Sequence, residues 1–597
     1  MGYMGKYLEI DLSKERVTDY SLNMSLAEKY IGGKGLGARL LYDNLDAGVN
    51  PLGPENIILF MTGPLTGTTV QTSGRWCIVT KSPQTGTFND SHIGGRFAPK
   101  IKRAGFDFLI IRGKADSPCY LLVSDECVDI LKADDLWGLG TFETEDKLKA
   151  RHPGSEVASI GPAGENLVSY ASIVTGKTHA AGRGGTGAVL GSKNLKAIVA
   201  KGETSIETMD SIRFKELTRE FSKKVLNDIN AQQYREIGTV VWVNMSNYGG
   251  FLPTRNYKSG YSESAEAISG ERMAEEYVVG HSACYGCNIA CGKKTRFTEG
   301  KYAGLEVEGP EYETVALLGS NCGIYDMGAI AKSSQICDDL GIDTISAGAT
   351  ISFAMEASER GVLIQDDIDE LMFGNDEAVH KLLHLVAEKQ GVGKLLSKGS
   401  LAAAEQLGHN SAHYAIQVKG LELAAVEPRG SWSMALAYST ADRGACHQRC
   451  WTPTAELKGE IPRFSMEGVP KYVKETQDER AVCGSLVVCD FLPFQIPEMI
   501  EMLNAATGFS FTEDSYLTTG ERIWNLTRMF NVREGMDAKD DVLPERFSEE
   551  ELQDGPAKGQ IMTKDTLEKS KAEYYTLRGW DDNGMPTKEK LRLLGLN

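Results

Sequence analysis

Hydrophobic and polar positions change their pattern near residue 205 of the chain. Before that point, short apolar runs rich in β-branched and aromatic residues alternate with glycine-rich turns, which is typical of β-strands. The predicted strands are 7–12, 57–61, 76–80, 108–111, 120–123, 157–160, 167–174 and 195–199. The first 205 residues are therefore expected to form a β-rich domain.

Beyond residue 205, apolar residues recur at spacings of two to four, which is typical of helices with one buried face. The clearest example covers 212–229, and further helices are predicted at 326–340, 344–360, 376–389 and 396–407. Several of these end at a glycine, a common helix terminator. With 597 residues, two to four domains are expected. The pattern predicts an α+β protein whose second part is mostly helical.

Four cysteines have a spacing that suggests a metal cluster. Cys284, Cys287 and Cys291 are separated by two and then three residues, and Cys489 follows much later. Three thiolates on one loop and a fourth from a distant segment commonly hold a four-iron cluster. Zinc is the alternative, but zinc sites favour two closely spaced pairs, and the sequence has no second C-x-x-C. Cys483 competes with Cys489 as the fourth ligand.

Charge and composition narrow the classes of partner. The net charge of −18 weighs against nucleic acid or an anionic membrane, because both require a basic face. No uncharged stretch reaches the roughly 18 residues of a membrane span, and residues 1–14 do not have the pattern of a secretory signal. Twelve cysteines are too dilute for a disulfide scaffold. We expect a cytoplasmic protein with small molecules or proteins as partners.

Two glycine clusters could bring backbone amides close to a phosphate. They are 32–37 and 182–187, and the second contains G-x-G-x-x-G. A dinucleotide site would require a long helix after this motif, whereas a short segment and a predicted strand follow it. A phosphate-binding nest at Gly184 and Gly185, with Arg183 or Lys193 nearby, is the alternative to ordinary tight turns.

Several motifs in a fixed order resemble the tungsten-dependent aldehyde:ferredoxin oxidoreductase family. They are the cysteine loop, 32–40, 73–75, 161–166, 191–198, 443–447, 520–535, Tyr574-Tyr575 and Arg578-Gly579-Trp580. The likeness covers essentially the whole chain. It implies a double-sheet β domain, 1–205, and two mainly helical domains, 206–418 and 419–597, which together enclose the cofactor.

The resemblance also implies the cofactors and partners. A tungsten, or a molybdenum, is held by two pterin dithiolenes, Mg²⁺ lies between the pterin phosphates, and a [4Fe-4S] cluster is bound nearby. Ferredoxin or a ferredoxin-like small subunit takes the electrons, and the substrate is an aldehyde or an acid. The oligomeric state stays open, with a homodimer among the alternatives.

Cofactor-binding residues follow from the resemblance by position. Arg75 corresponds to a residue between pterin and cluster, where a cation stabilises anionic phosphate or thiolate. His92, Gly94 and Gly95 belong to a segment in which a main-chain oxygen helps to hold the magnesium. A histidine in a surface turn is the alternative for His92.

The family carries two D-x-x-G-L-(D/C) motifs that hold the pterin rings. The first stands here as 338–343, with Asp338, Gly341 and Asp343 at the key positions. Carboxylates at a helix end that closes on glycine can accept hydrogen bonds from pterin N–H groups. The second stands as 484–489 and lacks both the leading aspartate and the inner glycine. One set of pterin contacts is therefore in doubt.

Catalytic candidates come from the segment 309–313 and from the 443–447 motif. By resemblance, Glu313 lies beside the metal, with His447 as the matching histidine and Tyr312 as a further candidate. Oxidising an aldehyde requires water to add at the carbonyl and a proton to leave, so a carboxylate of raised pKa near a histidine is suitable. Cys322 is either a direct tungsten ligand or a small buried residue.

The predicted function is oxidation of an aldehyde to a carboxylic acid at a tungsten-bispterin centre, with electrons passed through the cluster to ferredoxin. A benzoyl-coenzyme A reductase-like subunit is the enzymatic alternative, favoured by Cys322 and the altered second pterin motif. A non-catalytic iron–sulfur electron-transfer subunit is a third alternative, suggested by the cluster loop alone.

Overall fold

The N-terminal part of the computed structural model contains two six-stranded β-sheets. The structure describes residues 2–125, 127–364, 368 and 370–596. The strands are β1 (Lys6–Asp11), β2 (Arg16–Ser21), β3 (Ile58–Met61), β4 (Trp76–Lys81), β5 (Phe88–Ile93), β6 (Phe108–Arg112), β7 (Cys119–Ser124), β8 (Cys127–Lys132), β9 (Glu156–Ser159), β10 (Ile173–Thr175), β11 (His179–Ala181) and β12 (Leu195–Lys201). The spatial orders are β2-β1-β6-β3-β4-β5 and β11-β10-β9-β12-β7-β8. The pairs β1–β6 and β7–β12 are parallel, and the other pairs are antiparallel.

The two sheets pack face to face over one apolar core. Phe60 and Ile78 of the first sheet share this core with Leu121 and Ile198 of the second. Every residue of β3 is buried, because its alternate side chains pack on the opposite side in a core shared with C-terminal helices. The predicted α+β class with a double-sheet N-terminal domain is therefore confirmed.

Helices dominate the chain after β12. Six helices lie among the first twelve strands: α1 (Met24–Tyr30), α2 (Gly33–Asn44), α3 (Phe97–Arg103), α4 (Thr141–Arg151), α5 (Pro162–Glu165) and α6 (Thr186–Ser192). Later helices are α7 (Ser211–Asn227), α8 (Ile229–Ile237), α9 (Trp242–Gly249), α10 (Gly270–Glu276), α11 (Tyr312–Leu318), α12 (Met327–Leu340), α13 (Thr344–Glu359), α14 (Asp376–Glu388), α15 (Gly393–Leu396), α16 (Ser400–Leu407), α17 (Trp432–Thr440), α18 (Pro453–Lys458), α19 (Val469–Leu486), α20 (Ile496–Thr507), α21 (Glu513–Arg533), α22 (Arg546–Glu549), α23 (Lys564–Arg578) and α24 (Lys588–Leu594). A three-stranded sheet of β13 (Val278–Ser282), β14 (Gly292–Arg296) and β15 (Glu306–Glu308) and the short pair β16 (Gln417–Val418) and β17 (Leu421–Glu422) interrupt them.

Element predictions were right for the strongly patterned segments and wrong where turns intervene. The predicted strand 167–174 is mostly a turn, with only its end in β10, and the predicted helix 396–407 is split between α15 and α16. Strands β2, β5, β8 and β11 were missed, since polar residues interrupt their apolar pattern. The division into domains at 205 and 418 stays a prediction. Within the described residues, no helix combines the length and hydrophobicity needed to cross a bilayer.

Two long helices end in the same conformation at the two pterin-type motifs. Helix α12 is followed by Gly341 with φ 71° and ψ 52°, and helix α19 by Val487 with φ 60° and ψ 48°. Both residues are in the left-handed region, which favours glycine and is strained for a β-branched side chain. Val487 is fully packed, so tertiary contacts maintain this turn without the inner glycine.

A buried ion pair joins α13 to α22. Arg546 donates to both oxygens of Glu356, at 2.8 and 2.6 Å, and both side chains are fully buried. Burial by itself raises the Glu356 pKa, but the hydrogen bonds and charge of Arg546 outweigh burial and lower the pKa to about 2. The ion pair therefore fixes the C-terminal segment against the middle of the chain.

Arg546→Ala is expected to destabilise the protein by about 1.5–3 kcal/mol, because it removes two charge-assisted hydrogen bonds from a buried carboxylate and leaves Arg360 as its nearest cation. Denaturant midpoints of anaerobic protein measure this loss. The control Arg272→Ala removes an exposed i,i+4 pair with Glu276 and should leave the denaturant midpoint almost unchanged. Because the ion pair lowers the Glu356 pKa, the loss of stability caused by Arg546→Ala should be complete above about pH 4.5. It should become smaller as the pH falls toward 2. Equal midpoints for both variants would contradict the role assigned to the pair.

Candidate active site and metal centre

Two adjoining cavities lie where the double-sheet domain meets the helices. The first, here called the basic cavity, has a volume of about 310 Å³, and the second, the cysteine cavity, has about 510 Å³. Arg75, Glu313 and His447 line both cavities. Groups bound in the two spaces would therefore be close enough to exchange electrons.

The cysteine cavity collects the four predicted cluster ligands. Cys284, Cys287 and Cys291 lie on the loop between β13 and β14, Cys489 follows α19, and all four line the cavity. The four sulfurs do not provide a group of three or more ligand atoms that all lie within 4.8 Å of one another. A single zinc ion, with Zn–S bonds of about 2.3 Å, would require such a group. The arrangement fits a larger iron–sulfur cluster better than zinc.

Thr72 connects the two cysteine segments through the double-sheet domain. Its backbone N–H donates to the Gly286 carbonyl at 3.0 Å, and its hydroxyl oxygen accepts from the Cys489 N–H at 3.1 Å. The residue is buried and has a φ of 63°. A left-handed non-glycine residue persists only where its surroundings hold it, so this junction is strongly determined by tertiary contacts.

Cys284 is surrounded by hydrogen-bond donors from the double-sheet domain. The Gly95 N–H donates to its sulfur at 3.2 Å, and His179 Nε2 lies 3.3 Å from it. A Cβ at Gly94 would lie 2.6 Å from the same sulfur, so a glycine is needed there. Burial opposes ionisation of Cys284, but His179 and the Gly95 amide outweigh it and lower the thiol pKa. Gly94 and Gly95 therefore contact the cysteine loop, and their place in a magnesium site stays a prediction.

Cys489, and not Cys483, faces the other three cysteines. The Cys483 side chain lines the basic cavity, whereas Cys489 lines the cysteine cavity. Arg75 Nη1 donates to the Cys489 sulfur at 3.6 Å. Burial raises the Cys489 pKa to about 12, so this thiol requires a cation or metal to ionise. Arg75 lies between the cavities, as its predicted role requires.

The basic cavity has the electrostatics of an anion site. Six cationic side chains line it: Lys34, Arg75, Arg183, Arg443, Arg449 and Arg480. Lys34 and Arg449 are paired with Asp90 and Asp442. The Nε atoms of Arg75 and Arg443 and Nη1 of Arg183 are buried without a hydrogen-bond partner, and Arg183 Nε lies 3.4 Å from Asp343 Oδ2. Buried donors of this kind are costly unless a ligand satisfies them, so the cavity fits the phosphates of a pterin cofactor.

The first pterin motif places one free carboxylate and one occupied carboxylate at this cavity. Asp338 and Asp343 both line it, and Gly341 forms the tight turn between them. Burial, followed by the charge of Glu308, raises the Asp338 pKa well above its usual value. Asp343 instead caps α13 by accepting from Ser346 N at 3.0 Å. Asp338 is therefore the better placed of the two to meet a pterin N–H.

His92 occupies space next to the altered second motif. Its Nε2 lies 3.0 Å from Asp90 Oδ2, and its ring faces the basic cavity. A Cβ at Gly484 would lie 3.3 Å from the His92 ring, so an aspartate at 484 would compete with the ring for room. The histidine and the missing aspartate are thus neighbours in space. The histidine is part of the cavity wall and is not a surface turn residue.

Glu313 and His447 meet where the two cavities join. His447 Nδ1 lies 3.3 Å from Glu313 Oε1, and neither atom has a hydrogen-bond partner. Glu313 Oε2 accepts from the Ala425 N–H at 2.9 Å. Burial raises the Glu313 pKa to about 7, and burial together with the charge of Arg183 lowers the His447 pKa to about 3. At neutral pH a neutral histidine therefore faces a carboxyl group that can gain or lose a proton.

Tyr312 and Cys322 do not have the geometry expected of them. The Tyr312 hydroxyl is 2.6 Å from the Ala425 carbonyl and 2.8 Å from Ser246 Oγ, so its proton is already engaged in structure. Cys322 lies in the helical core, and its thiol donates to the carbonyls of Leu317 and Gly348. It lines neither of the two cavities. The interpretation of Cys322 as a tungsten ligand was wrong, and the small buried residue is the correct alternative.

Three residues predicted for a phosphate nest, Gly184, Gly185 and Lys193, line neither of the two cavities. Lys193 is buried and donates to the carbonyls of Asn56 at 2.6 Å and Gly113 at 3.2 Å. A Cβ at Gly184 would lie 2.2 Å from Asn89, and one at Gly185 would lie 2.1 Å from the Ser169 carbonyl. Close packing between strands and turns explains both glycines. Arg183 alone faces the basic cavity.

Several residues at the site were not found from the sequence. They are Thr72, His179, Asp90, Arg449 and Gln448, whose amide nitrogen lies 3.0 Å from His447 Nε2. These residues share no sequence motif that would identify them as part of the site. Thr72 directly precedes the 73–75 motif and Gln448 directly follows His447, which could have drawn attention to both.

The double-sheet domain, the four cysteines and the cationic cavity together define a cofactor-dependent oxidoreductase. The chain belongs to the aldehyde ferredoxin oxidoreductase family: the model for the N-terminal domain matches residues 7–202, and the model for domains 2 and 3 matches residues 216–596. A tungsten-containing aldehyde ferredoxin oxidoreductase from Pyrococcus horikoshii is 40% identical over 100% of this chain and 99% of that protein.

Two further relatives have different reported roles. The WOR-like subunit of an aliphatic sulfonate oxidoreductase from Pyrococcus furiosus is 34% identical over 100% of this chain and 97% of its own length. Among solved structures, the active-site complex BamBC of benzoyl coenzyme A reductase with 1,5-dienoyl-CoA has a TM-score of 0.85. It is 26% identical, covering 100% of this chain and 97% of that chain. The enzymatic alternative therefore shares the fold at a lower identity than the aldehyde oxidoreductases.

Cys489→Ser is expected to lose most of the bound iron, whereas Cys483→Ser should keep about four iron atoms per chain, as a [4Fe-4S] cluster requires. The two cysteines are six residues apart and both largely buried, so the pair is a matched comparison. Iron analysis and the visible spectrum of anaerobically purified protein measure the result. Loss of iron from Cys483→Ser alone would reverse the assignment of the fourth ligand.

Proposed function

We propose that this chain oxidises aldehydes to carboxylic acids with a tungsten-bispterin cofactor and passes the electrons through a [4Fe-4S] cluster to ferredoxin. Full-length identity of 40% to tungsten-containing aldehyde ferredoxin oxidoreductases supports the reaction class. The unpartnered buried donors of the basic cavity support a phosphate-bearing cofactor, and the cysteine cavity supports the cluster. Magnesium and a homodimer remain predictions that depend on the family resemblance.

The observation that carries the proposal is the Glu313–His447 pair between the two cavities. Aldehyde oxidation needs a base beside the redox centre, because R–CHO and H₂O become R–COOH with release of two protons and two electrons. A carboxyl group with a pKa of about 7 is matched to that task at neutral pH. Its backbone partner, the Ala425 N–H, fixes the direction of the carboxyl group.

The Glu313, His447 and Gln448 side chains have separate roles in proton transfer. When bound, the tungsten bispterin supplies the two-electron redox chemistry. The Gln448 amide nitrogen can only donate, so His447 Nε2 accepts and the Nδ1 proton faces Glu313. The ionised Glu313 carboxylate removes a proton from the water that adds to the aldehyde carbonyl. Burial of both groups keeps bulk water from competing for that proton.

An anaerobic assay tests the proposed reaction. Protein loaded with cofactors should reduce a viologen dye with at least some members of a panel of aliphatic and aromatic aldehydes, and should contain tungsten and iron. A benzoyl-coenzyme A reductase-like subunit would contain both metals but oxidise none of the aldehydes. An electron-transfer subunit would contain iron without tungsten. Either of these last two results would overturn the proposal.

Glu313→Gln is expected to lower kcat for aldehyde oxidation by about 10²–10⁴-fold, because the general base is removed. In the unmodified protein kcat/KM should rise with pH through about 7, as the carboxyl group ionises. This rise of kcat/KM with pH should be absent from the residual activity of Glu313→Gln. Tyr312→Phe is the matched control one residue away. It should keep the rise, since the Tyr312 hydroxyl is bound to Ala425 and Ser246. Tungsten and iron contents should be equal in all three proteins.

A further inference from the structure

The cysteine loop lies at the surface of the protein. Gly286, between two of the cluster cysteines, is exposed, and Cys284, Cys287 and Cys291 are only partly buried. The opposite side of the loop faces the cysteine cavity and Arg75. An electron that reaches this cavity therefore has only a short distance to travel to a partner seated over Gly286.

Cationic side chains hold this loop from several directions. Arg103 donates to the Tyr285 hydroxyl at 2.7 Å and lies over its ring at 5.5 Å. Arg235 donates to the Asn288 carbonyl, and Lys293 donates to the Cys291 carbonyl at 2.8 Å. Exposed Arg96 directly follows Gly95, whose carbonyl accepts from the Tyr285 N–H at 3.0 Å.

Helix α7 adds further positive charge at the rim of the loop. Ser222 of this helix bonds to Asn288 Nδ2 at 2.8 Å. Exposed Arg219 lies three residues earlier on the same helical face. Glu220 is also exposed on α7, but Asp490, next to the fourth cysteine, is drawn into a pair with Arg480 at 3.4 Å. Glu236 is exposed beside Arg235, and Glu308 and Glu311 line the cysteine cavity. Arg96, Arg103, Arg219 and Arg235 outnumber the exposed acids Glu220 and Glu236, on a chain whose net charge is −18.

We propose that the surface formed by Gly286, Arg96, Arg103, Arg219 and Arg235 is the docking site of a small acidic electron-carrier protein of the ferredoxin class. This inference rests on the proposed function, which supplies the electrons. A positive patch on a negative protein orients an acidic partner, because other approaches are repelled. A cluster held by the four cysteines would supply one electron in each encounter, which would reduce the carrier without making or breaking a bond.

Charge reversal at two exposed positions tests the docking surface. Arg96→Glu with Arg219→Glu should lower kcat/KM for a purified acidic 2[4Fe-4S] ferredoxin by about tenfold or more relative to kcat/KM for viologen, as loss of steering predicts. Rates with the unmodified protein should fall as ionic strength rises, and this dependence should flatten in the variant. The neutral pair Arg96→Gln with Arg219→Gln should show an intermediate effect.

A matched control changes the same total charge elsewhere. Lys539→Glu with Lys569→Glu alters two exposed lysines of the C-terminal segment and should keep the ferredoxin-to-viologen ratio within about twofold. An equal fall in both reversal variants, or no fall in either, would overturn the docking site.

A direct binding measurement separates this inference from the proposed function. The Kd of the oxidised ferredoxin for the holoprotein at low salt should rise by about tenfold or more in the Arg96/Arg219 reversal variant and stay within about twofold in the lysine control. This measurement needs no aldehyde oxidation. Unchanged Kd values would exclude the site, whereas a protein that binds ferredoxin here but oxidises no aldehyde would overturn only the reaction.

Discussion

The junction at Thr72 is the contact on which the redox architecture depends. One residue of the double-sheet domain donates to the cysteine loop and accepts from the backbone of Cys489, although these segments are about two hundred residues apart in sequence. Arg75, three residues later, then reaches the Cys489 sulfur. Because buried thiolates need nearby donors, the turn of 70–75 positions both halves of the metal site and supplies part of their stabilisation. Its left-handed conformation persists because contacts on both sides hold it.

The basic cavity and the cysteine cavity differ in their electrostatics and therefore in their chemistry. In the basic cavity several arginine nitrogens lack partners, which is costly in a buried site unless an anion completes them. In the cysteine cavity the thiol pKa values diverge, since His179 and Gly95 lower that of Cys284 while burial raises that of Cys489. Arg75 borders both spaces. In a protein with net charge −18, six cationic side chains therefore line the space where an anionic cofactor would bind.

Burial gives the Glu313–His447 pair its chemical character. Desolvation disfavours the charged form of each group, which raises the carboxyl pKa and lowers the imidazole pKa. The carboxyl group, and not the imidazole, is then the group that changes protonation near neutral pH. This assignment differs from the usual expectation that histidine titrates in that range.

Local patterns in the sequence determined the α+β order and the cysteine loop, and the family resemblance supplied the double-sheet N-terminal region and the places of Arg75, Glu313 and His447. Hydrophobic periodicity and close cysteine spacing are local properties, so a single chain reveals them. Tertiary structure decided the rest. Val487 takes a left-handed turn without glycine because packing holds it. Cys322 and Lys193 donate to carbonyls far away in sequence, those of Gly348 and Asn56. The choice of Cys489 over Cys483 likewise depended on which cavity each side chain faces, a property of the folded chain alone.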